Sequence, residues 1–133
     1  MKKYRSFIVL SVVLVMMIVC AGFGFYKDFF VENIQMILLT DGTTEQTLTI
    51  TDPDTIQAIT TNVTENLRYR LRGKNDSSDW CYHLRFLDER GEQLASFSVL
   101  SSDGHLVSFG GWRYQTANDH GIDTDLLARL LAP

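Results

Sequence analysis

Three arginines lie at every second position of one short stretch of the chain. Arg68, Arg70 and Arg72 alternate with apolar residues, and Lys74 follows just beyond them. A period of two is that of a β-strand, so the three guanidinium groups are expected on one face of an extended segment. Guanidinium groups bind carboxylates, phosphates and anionic lipid head groups through charge-assisted hydrogen bonds. The stretch therefore predicts contact with an anionic ligand; the alternative is a solvated edge strand that its charges protect from aggregation.

A cysteine and a histidine lie two positions apart, at Cys81 and His83. Together with His105 or His120 they offer zinc-ligand chemistry, but the paired spacing that marks zinc sites is missing. A cysteine nucleophile with a histidine base is equally poorly supported, because residues i and i+2 of a strand are about 7 Å apart. We therefore predict no catalytic residue, no metal ligand and no cofactor, and interpret Cys81 as a buried, inert thiol.

Two later stretches add polar candidates. In residues 80–86 aromatic and aliphatic side chains alternate with polar ones, and residues 95–99 repeat the pattern. Such alternation predicts half-buried strands with one side on a core and the other in solvent. His83, Arg85, Ser96 and Ser98 are expected on the solvent side, which we call the open face. The candidate ligand-binding residues are therefore Arg68, Arg70, Arg72, Lys74, His83 and Arg85.

The charge balance argues against a nucleic-acid partner. The chain carries 12 basic and 16 acidic residues, and three of the bases (Lys2, Lys3 and Arg5) precede a hydrophobic run. The remaining 9 bases and 16 acids give the rest of the chain a net charge of −7. Nucleic-acid affinity comes largely from attraction to phosphate, which so acidic a domain opposes. No nucleic acid is therefore expected to bind.

The hydrophobic run at residues 7–26 contains no charge. About 20 apolar residues let a helix cross the hydrocarbon core of a bilayer, and flanking basic residues stay on the cytoplasmic side. The sequence therefore predicts a cytoplasmic tail over residues 1–6, a transmembrane signal anchor in membrane lipid over 7–26, and an extracytoplasmic domain over 27–133. The expected location is the cell membrane, single-pass, with the C-terminal domain outside.

Two other fates of this run are open. A secretory signal cleaved near Gly22, after the small residues Val19 and Ala21, would give a secreted domain. A lipoprotein signal would use Cys20 as the lipidated residue, although the bulky Val19 directly precedes it. All three readings place the domain outside the cytoplasm.

Local signals place a hairpin and a helix next. Residues 34–38 and 47–51 alternate and flank the turn-forming pair Asp41-Gly42, which predicts a β-hairpin. Asp52 then suits a helix cap and Pro53 the first helical position, and apolar residues recur from Ile56 onward at helical spacing. A hairpin followed by an amphipathic helix is the predicted start of the domain.

Strands joined by short turns follow, and a helix closes the chain. Extended segments are expected near residues 67–72, 80–86, 95–99 and 105–109, and Asp123 or Thr124 caps a leucine-rich helix. Strands joined by short turns pair antiparallel. The expected fold class is α+β, an N-terminal transmembrane helix followed by a two-layer domain of β-hairpin, helix, antiparallel meander and C-terminal helix, with five or six strands.

Four stretches carry a resemblance to a known group. They are Thr51-Asp52-Pro53-Asp54, residues 80–86, residues 88–91 and residues 104–114. In these the chain resembles small exported or membrane-anchored domains of Gram-positive, Firmicutes-type bacteria that have no assigned function. The resemblance spans roughly the last 85 residues, implies fold and location, and brings no catalytic residues.

Three functions compete on these observations. The leading prediction is a non-enzymatic, membrane-anchored extracytoplasmic domain that binds an envelope protein, a peptide or an anionic surface polymer through the arginine stretch or the open face. The second is a structural or accessory subunit of a membrane complex. The third is a thiol-dependent enzyme centred on Cys81.

Overall fold

One antiparallel sheet of eight strands dominates the computed structural model, which describes residues 2–23, 26–75, 79–117 and 119–133, with the side chains of the first helix described for positions 4–17. The strands are β1 (Tyr26–Lys27), β2 (Met36–Asp41), β3 (Thr47–Ile50), β4 (Tyr69–Lys74), β5 (Tyr82–Leu87), β6 (Gln93–Val99), β7 (Leu106–Phe109) and β8 (Trp112–Thr116). The helices are α1 (Lys2–Phe23), α2 (Pro53–Thr64) and α3 (Thr124–Leu131).

The strand order across the sheet is β1-β4-β8-β7-β6-β5-β2-β3. Strands β5 to β8 form a consecutive meander at the centre. The β2–β3 hairpin extends this meander on the β5 side, and β4 joins it on the β8 side. Strands β4 and β5 are consecutive in sequence but are therefore separated in the sheet by three other strands.

Local chemistry accounts for where α2 begins and ends. The carboxylate of Asp52 accepts a hydrogen bond from the backbone N–H of Thr55 at 3.1 Å, and Pro53 occupies the first turn. An N-cap of this kind satisfies a backbone donor that the helix itself leaves unpaired. At the other end, the hydroxyl of Tyr69 donates to the carbonyl of Val63 at 2.8 Å, which ties α2 to β4. Burial raises the pKa of Tyr69.

A single hydrophobic core lies on one face of the sheet. Both α2 and α3 bury their apolar sides there, α2 through Ile56, Ile59 and Val63 and α3 through Leu127 and Leu131. Their partners alternate along the strands, as expected for a sheet with one covered side. The strand residues of this core include Ile37, Leu39, Tyr69, Leu84, Phe86, Phe97, Val99, Val107 and Phe109.

The segment after β1 forms part of this core. The ring of Phe29 lies 5.0 Å from that of Phe97 and 5.1 Å from that of Phe109, both edge to face. Phe29 is 6% exposed, whereas Phe30 beside it is 73% exposed. Because β1 borders β4 and β2 borders β5, residues 28–35 cross the covered face between them. The chain directly after α1 is thus held by the packing of the domain.

The prediction of a transmembrane anchor is corrected by this structure. Within the described part of the chain, none of the helices combines the length and the hydropathy needed to span a bilayer. Tyr26, the expected end of the anchor, pairs with Arg70 in the sheet instead. The single-pass topology and the cell-membrane location inferred from residues 7–26 are therefore corrected as well.

The two alternative processing sites, at Cys20 and near Gly22, lie in the second half of α1. The side chains of Val19, Cys20, Ala21 and Gly22 lie outside the described residues.

The expected fold class is corrected in strand number as well. Five or six strands were expected, and eight are found in one sheet. The additional pairing comes from β1, a two-residue strand too short to leave a pattern in the sequence, and from β8, which the paired glycines at 110 and 111 turn back against β7. Both glycines have positive φ, which allows the tight turn.

Candidate functional site

The face of the sheet opposite α2 and α3 is the open face. The strand register assigns residues to it, since directly paired residues point to the same side. Thr40 pairs with Thr47 and His83, His83 with Ser98, Ser98 with Ser108, and Ser108 with Arg113. A line of six polar side chains therefore crosses six strands. We call it the polar row: Thr47, Thr40, His83, Ser98, Ser108 and Arg113.

Hydrogen bonds fix two parts of the polar row. The hydroxyls of Thr40 and Thr47 lie 2.9 Å apart, and Nδ1 of His83 lies 2.7 Å from the hydroxyl oxygen of Ser98. The indole of Trp80 packs against the imidazole of His83 with ring centroids 5.4 Å apart. The Trp80–His83 aromatic pair thus lies beside hydroxyl groups whose positions are fixed by hydrogen bonds within the protein.

Basic residues, and no acids, accompany the polar row. The register places Arg70, Arg85 and Arg113 on the open face, and every residue that it places there is neutral or basic. Asp41 is the one acid within a described strand, and it pairs with Tyr82 on the covered side. Arg85 is oriented by a hydrogen bond from its Nε to Oε1 of Gln93 at 2.9 Å. The open face is therefore positive in a chain whose net charge is −4.

Arg113 has a buried nitrogen that is left without a partner in the described part of the chain. Its Nε is buried and has no hydrogen-bond partner among the described residues. The side-chain oxygen Oδ1 of Asn75 is likewise buried without a partner in the described chain. Asn75 donates its backbone N–H to the carbonyl of Gly111, and Arg113 pairs with Gly73, so the backbones of Asn75 and Arg113 lie at the same corner of the sheet. Buried polar atoms without partners cost about 1–3 kcal/mol each, so a partner group at this corner would be stabilising.

The arginine stretch predicted from sequence is divided by a β-bulge. Arg70 lies on the open face opposite Gln115, but the register shifts between Leu71 and Gly73. Arg72 is the extra residue at this bulge and is exposed, and Lys74 pairs with Trp112 on the other side of the sheet.

The other candidates from sequence are placed as follows. Arg68 precedes β4 and lies over the ring of Tyr26, with its Cζ 5.1 Å from the ring centroid. His83 and Arg85 lie together on the open face with Arg70. The structure therefore brings three of the six candidates to one surface. Arg68 precedes β4, Arg72 is the bulge residue, and Lys74 points to the opposite side of the sheet.

His83 is held in its neutral form. Burial, and after it the positive charge of Arg85, lowers the pKa of His83 below its ordinary value of 6.5. At neutral pH the ring therefore presents one donor and one acceptor rather than a positive charge.

A serine hydroxyl against a histidine ring is also the arrangement of a nucleophile and its base. In such sites a third group orients the histidine. Thr40 occupies the neighbouring position across from His83, and no carboxylate of the described residues hydrogen-bonds to the ring. We therefore interpret the His83–Ser98 pair as a fixed hydrogen-bonding group.

Cys81 shows no sign of activation. Its thiol, which is partly buried, donates to the carbonyl of Leu100 at 3.7 Å, and Nδ1 of His83 is engaged by Ser98. Among the described residues, no group of three or more His, Cys, Asp or Glu side chains could hold a metal ion.

A separate groove of about 360 Å³ lies on the other side of the molecule, between residues 31–35 and α2. Val31, Ile34 and Ile56 contribute apolar lining, and Glu32 and Glu65 contribute carboxylates. These charges oppose an anion, so the groove and the open face favour ligands of opposite charge.

Fold and site together define a class of protein: a small domain with one antiparallel sheet, α2 and α3 on one face and a basic surface on the other. Comparison with family models, with curated proteins and with solved structures found no match to this chain.

Sequence reasoning missed Arg113, Ser108 and Asn75. A signal for Arg113 was present, since it alternates with Trp112 and Tyr114 and so points away from them. No signal placed Asn75 beside Arg113, because their proximity depends on β4 pairing with β8.

Proposed function

We propose that this protein is a binding domain whose open face holds an anionic ligand. The observation that carries the proposal is the placement of Arg70, Arg85 and Arg113 on a face without acids, in a chain that is acidic as a whole. Apart from Asp41, which lies in β2 on the covered side, the acids of the described residues lie in turns, loops and helices, so the segregation of charge is a property of the sheet.

The chemistry of the arginines and the position of their strands favour ligand binding over protection of the sheet from aggregation. Arginine forms two parallel hydrogen bonds with a carboxylate or phosphate and is less strongly hydrated than lysine. Surface arginines that only protect a sheet from aggregation belong on edge strands. Arg85 lies on β5 and Arg113 on β8, both of which are paired on both sides. Protection of an edge therefore does not explain them.

The test measures binding of a defined polyanion to the full chain. Poly-L-glutamate is titrated at low salt while tryptophan fluorescence is followed, since Trp80 contacts His83 on the open face. Arg70→Gln combined with Arg85→Gln is expected to weaken binding at least tenfold. The matched control is Arg90→Gln combined with Arg129→Gln, two exposed arginines in a turn and in α3, which removes the same charge and is expected to change affinity less than twofold.

Two results would contradict the proposal. Equal losses in the two double variants would show attraction to net charge alone, and no binding of poly-L-glutamate at low salt would remove the proposal entirely. Duplex DNA of similar charge density serves as a parallel probe, and tighter binding of DNA than of poly-L-glutamate would redirect the proposal to nucleic acid. Thermal unfolding of each variant verifies that the fold is retained.

A further inference from the structure

We propose that the corner of the open face formed by Arg113 and Asn75 binds the carboxylate of an acidic sugar, and that the polar row toward Trp80 binds the sugars attached to it. This inference rests on the proposed function, because it specifies the ligand of the same face.

A ligand with two kinds of group would satisfy both unpartnered atoms at this corner. Nε of Arg113 is a donor and needs an acceptor, which a carboxylate supplies. Oδ1 of Asn75 is an acceptor and needs a donor, which a simple carboxylate lacks. A carboxylate with a hydroxyl group on a neighbouring carbon satisfies both atoms, and this combination occurs in sugar acids.

The polar row continues the same chemistry across the sheet. From Arg113 to His83 it crosses three strand spacings, about 14 Å at about 4.8 Å each. Ser98 and Ser108 lie between Arg113 and His83, Ser98 partly exposed and Ser108 only 6% exposed, and the Trp80 indole lies against His83. Hydroxyl groups along the path and an aromatic ring with an apolar body and a polar edge suit a ligand that carries hydroxyls on a carbon ring.

The pairing of the strands argues against an extended acidic peptide as the ligand. Strands β5, β6, β7 and β8 each have a neighbour on both sides, so the ladder uses their backbone donors and acceptors. Recognition of a peptide as an added strand needs a free sheet edge. The polar row offers only side chains, which favours a ligand read through its own hydroxyl and carboxylate groups.

The experiment compares four small probes on the isotope-labelled full chain: D-glucuronate, D-glucose, acetate and N-acetyl-aspartate amide. The Arg113 Nε–H resonance is followed by NMR during each titration. Glucuronate is expected to shift this resonance and to bind at least tenfold more tightly than glucose or acetate. Binding of glucuronate that is no tighter than binding of acetate would overturn the inference. Tighter binding of N-acetyl-aspartate amide than of glucuronate would overturn it in favour of an acidic peptide.

Variants test the geometry separately from the charge. Arg113→Lys keeps the positive charge but removes the planar guanidinium group. It is expected to weaken the binding of glucuronate at least tenfold and the binding of poly-L-glutamate less than threefold. Asn75→Ala is expected to weaken the binding of glucuronate and to leave the binding of acetate unchanged. Arg72→Lys, at the exposed bulge, is the matched control and should change neither ligand. Equal weakening of both ligands in Arg113→Lys would overturn the inference.

The two proposals fail in different ways. If poly-L-glutamate binds through Arg70 and Arg85 but glucuronate shows no preference, the inference is wrong and the proposed function stands. If neither probe binds the wild-type chain, both are wrong. The comparison among probes uses only the wild-type protein, so it remains decisive if a variant does not fold.

Discussion

The imidazole of His83 on β5 and the hydroxyl of Ser98 on β6 form a hydrogen bond of 2.7 Å at the centre of the open face. The two residues are direct register partners, so the bond follows from the pairing of two central strands. It fixes the ring between Trp80 on one side and the arginine-bearing end of the polar row on the other.

His83 predicts that stability falls in mild acid. The pKa of His83 is lower in the folded chain than its ordinary value of 6.5, because burial and Arg85 oppose the charged ring. Between those two pKa values the unfolded chain binds more protons than the folded chain. The stabilising contribution of neutral His83 is therefore complete above about pH 6.5 and is lost as the pH falls toward the pKa of the folded state. His83→Gln should therefore show a smaller decrease in Tm between pH 8 and pH 5.5 than the wild type.

His120→Gln is the control for that measurement, because His120 is exposed and lies outside the strands. It should keep the pH dependence of the wild type. The same decrease in Tm for His83→Gln and the wild type would show that His83 does not govern stability in this range.

Phe29 and Phe30 offer a matched pair for the role of the segment after α1. Phe29→Ala removes a ring that packs edge to face on Phe97 and Phe109, and it should lower the free energy of unfolding by about 3–5 kcal/mol. Phe30→Ala should change it by less than about 0.5 kcal/mol, because this ring is in solvent. Urea denaturation measures both. Similar values for the two variants would mean that residues 28–35 do not pack on the covered face.

Gly104 and Gly110 separate backbone strain from a steric clash. Both have positive φ, +78° and +63°, where a non-glycine residue costs about 1–2 kcal/mol. A methyl group at Gly104 would also overlap the carbonyl oxygen of Ile122, whereas none of the described atoms lies within 4 Å of one at Gly110. Gly104→Ala should therefore lower the free energy of unfolding by at least about 2 kcal/mol more than Gly110→Ala. Equal losses in thermal or urea unfolding would contradict the close packing of residues 121–122 on Gly104.

Short-range chemistry can be recognised directly in the sequence. Asp52 and Pro53 predict a helix start, and α2 begins at Pro53 with Asp52 as its cap. The alternation in residues 80–86 likewise places His83 and Arg85 on the side away from the core. Such features depend on a residue and its neighbours within a few positions, so a local pattern contains the whole cause.

The long hydrophobic run shows where local patterns mislead. Its length and its basic flank predicted a membrane anchor, but its expected end at Tyr26 is a strand residue paired with Arg70. Hydropathy averages over a run of residues and contains no information about which distant strand the end of that run will pair with.

By itself, the sequence determined the side to which the residues of β5 and β6 point and the residues that begin α2 and α3, since these follow from backbone geometry and local hydrogen bonding. Only the tertiary structure decided which strands are neighbours. That decision inserts a bulge after Leu71, turns Lys74 away from the open face, and aligns His83, Ser98, Ser108 and Arg113. The physical reason is that register between distant strands is set by packing of the whole core around Phe29, Phe97 and Phe109, which no single segment specifies.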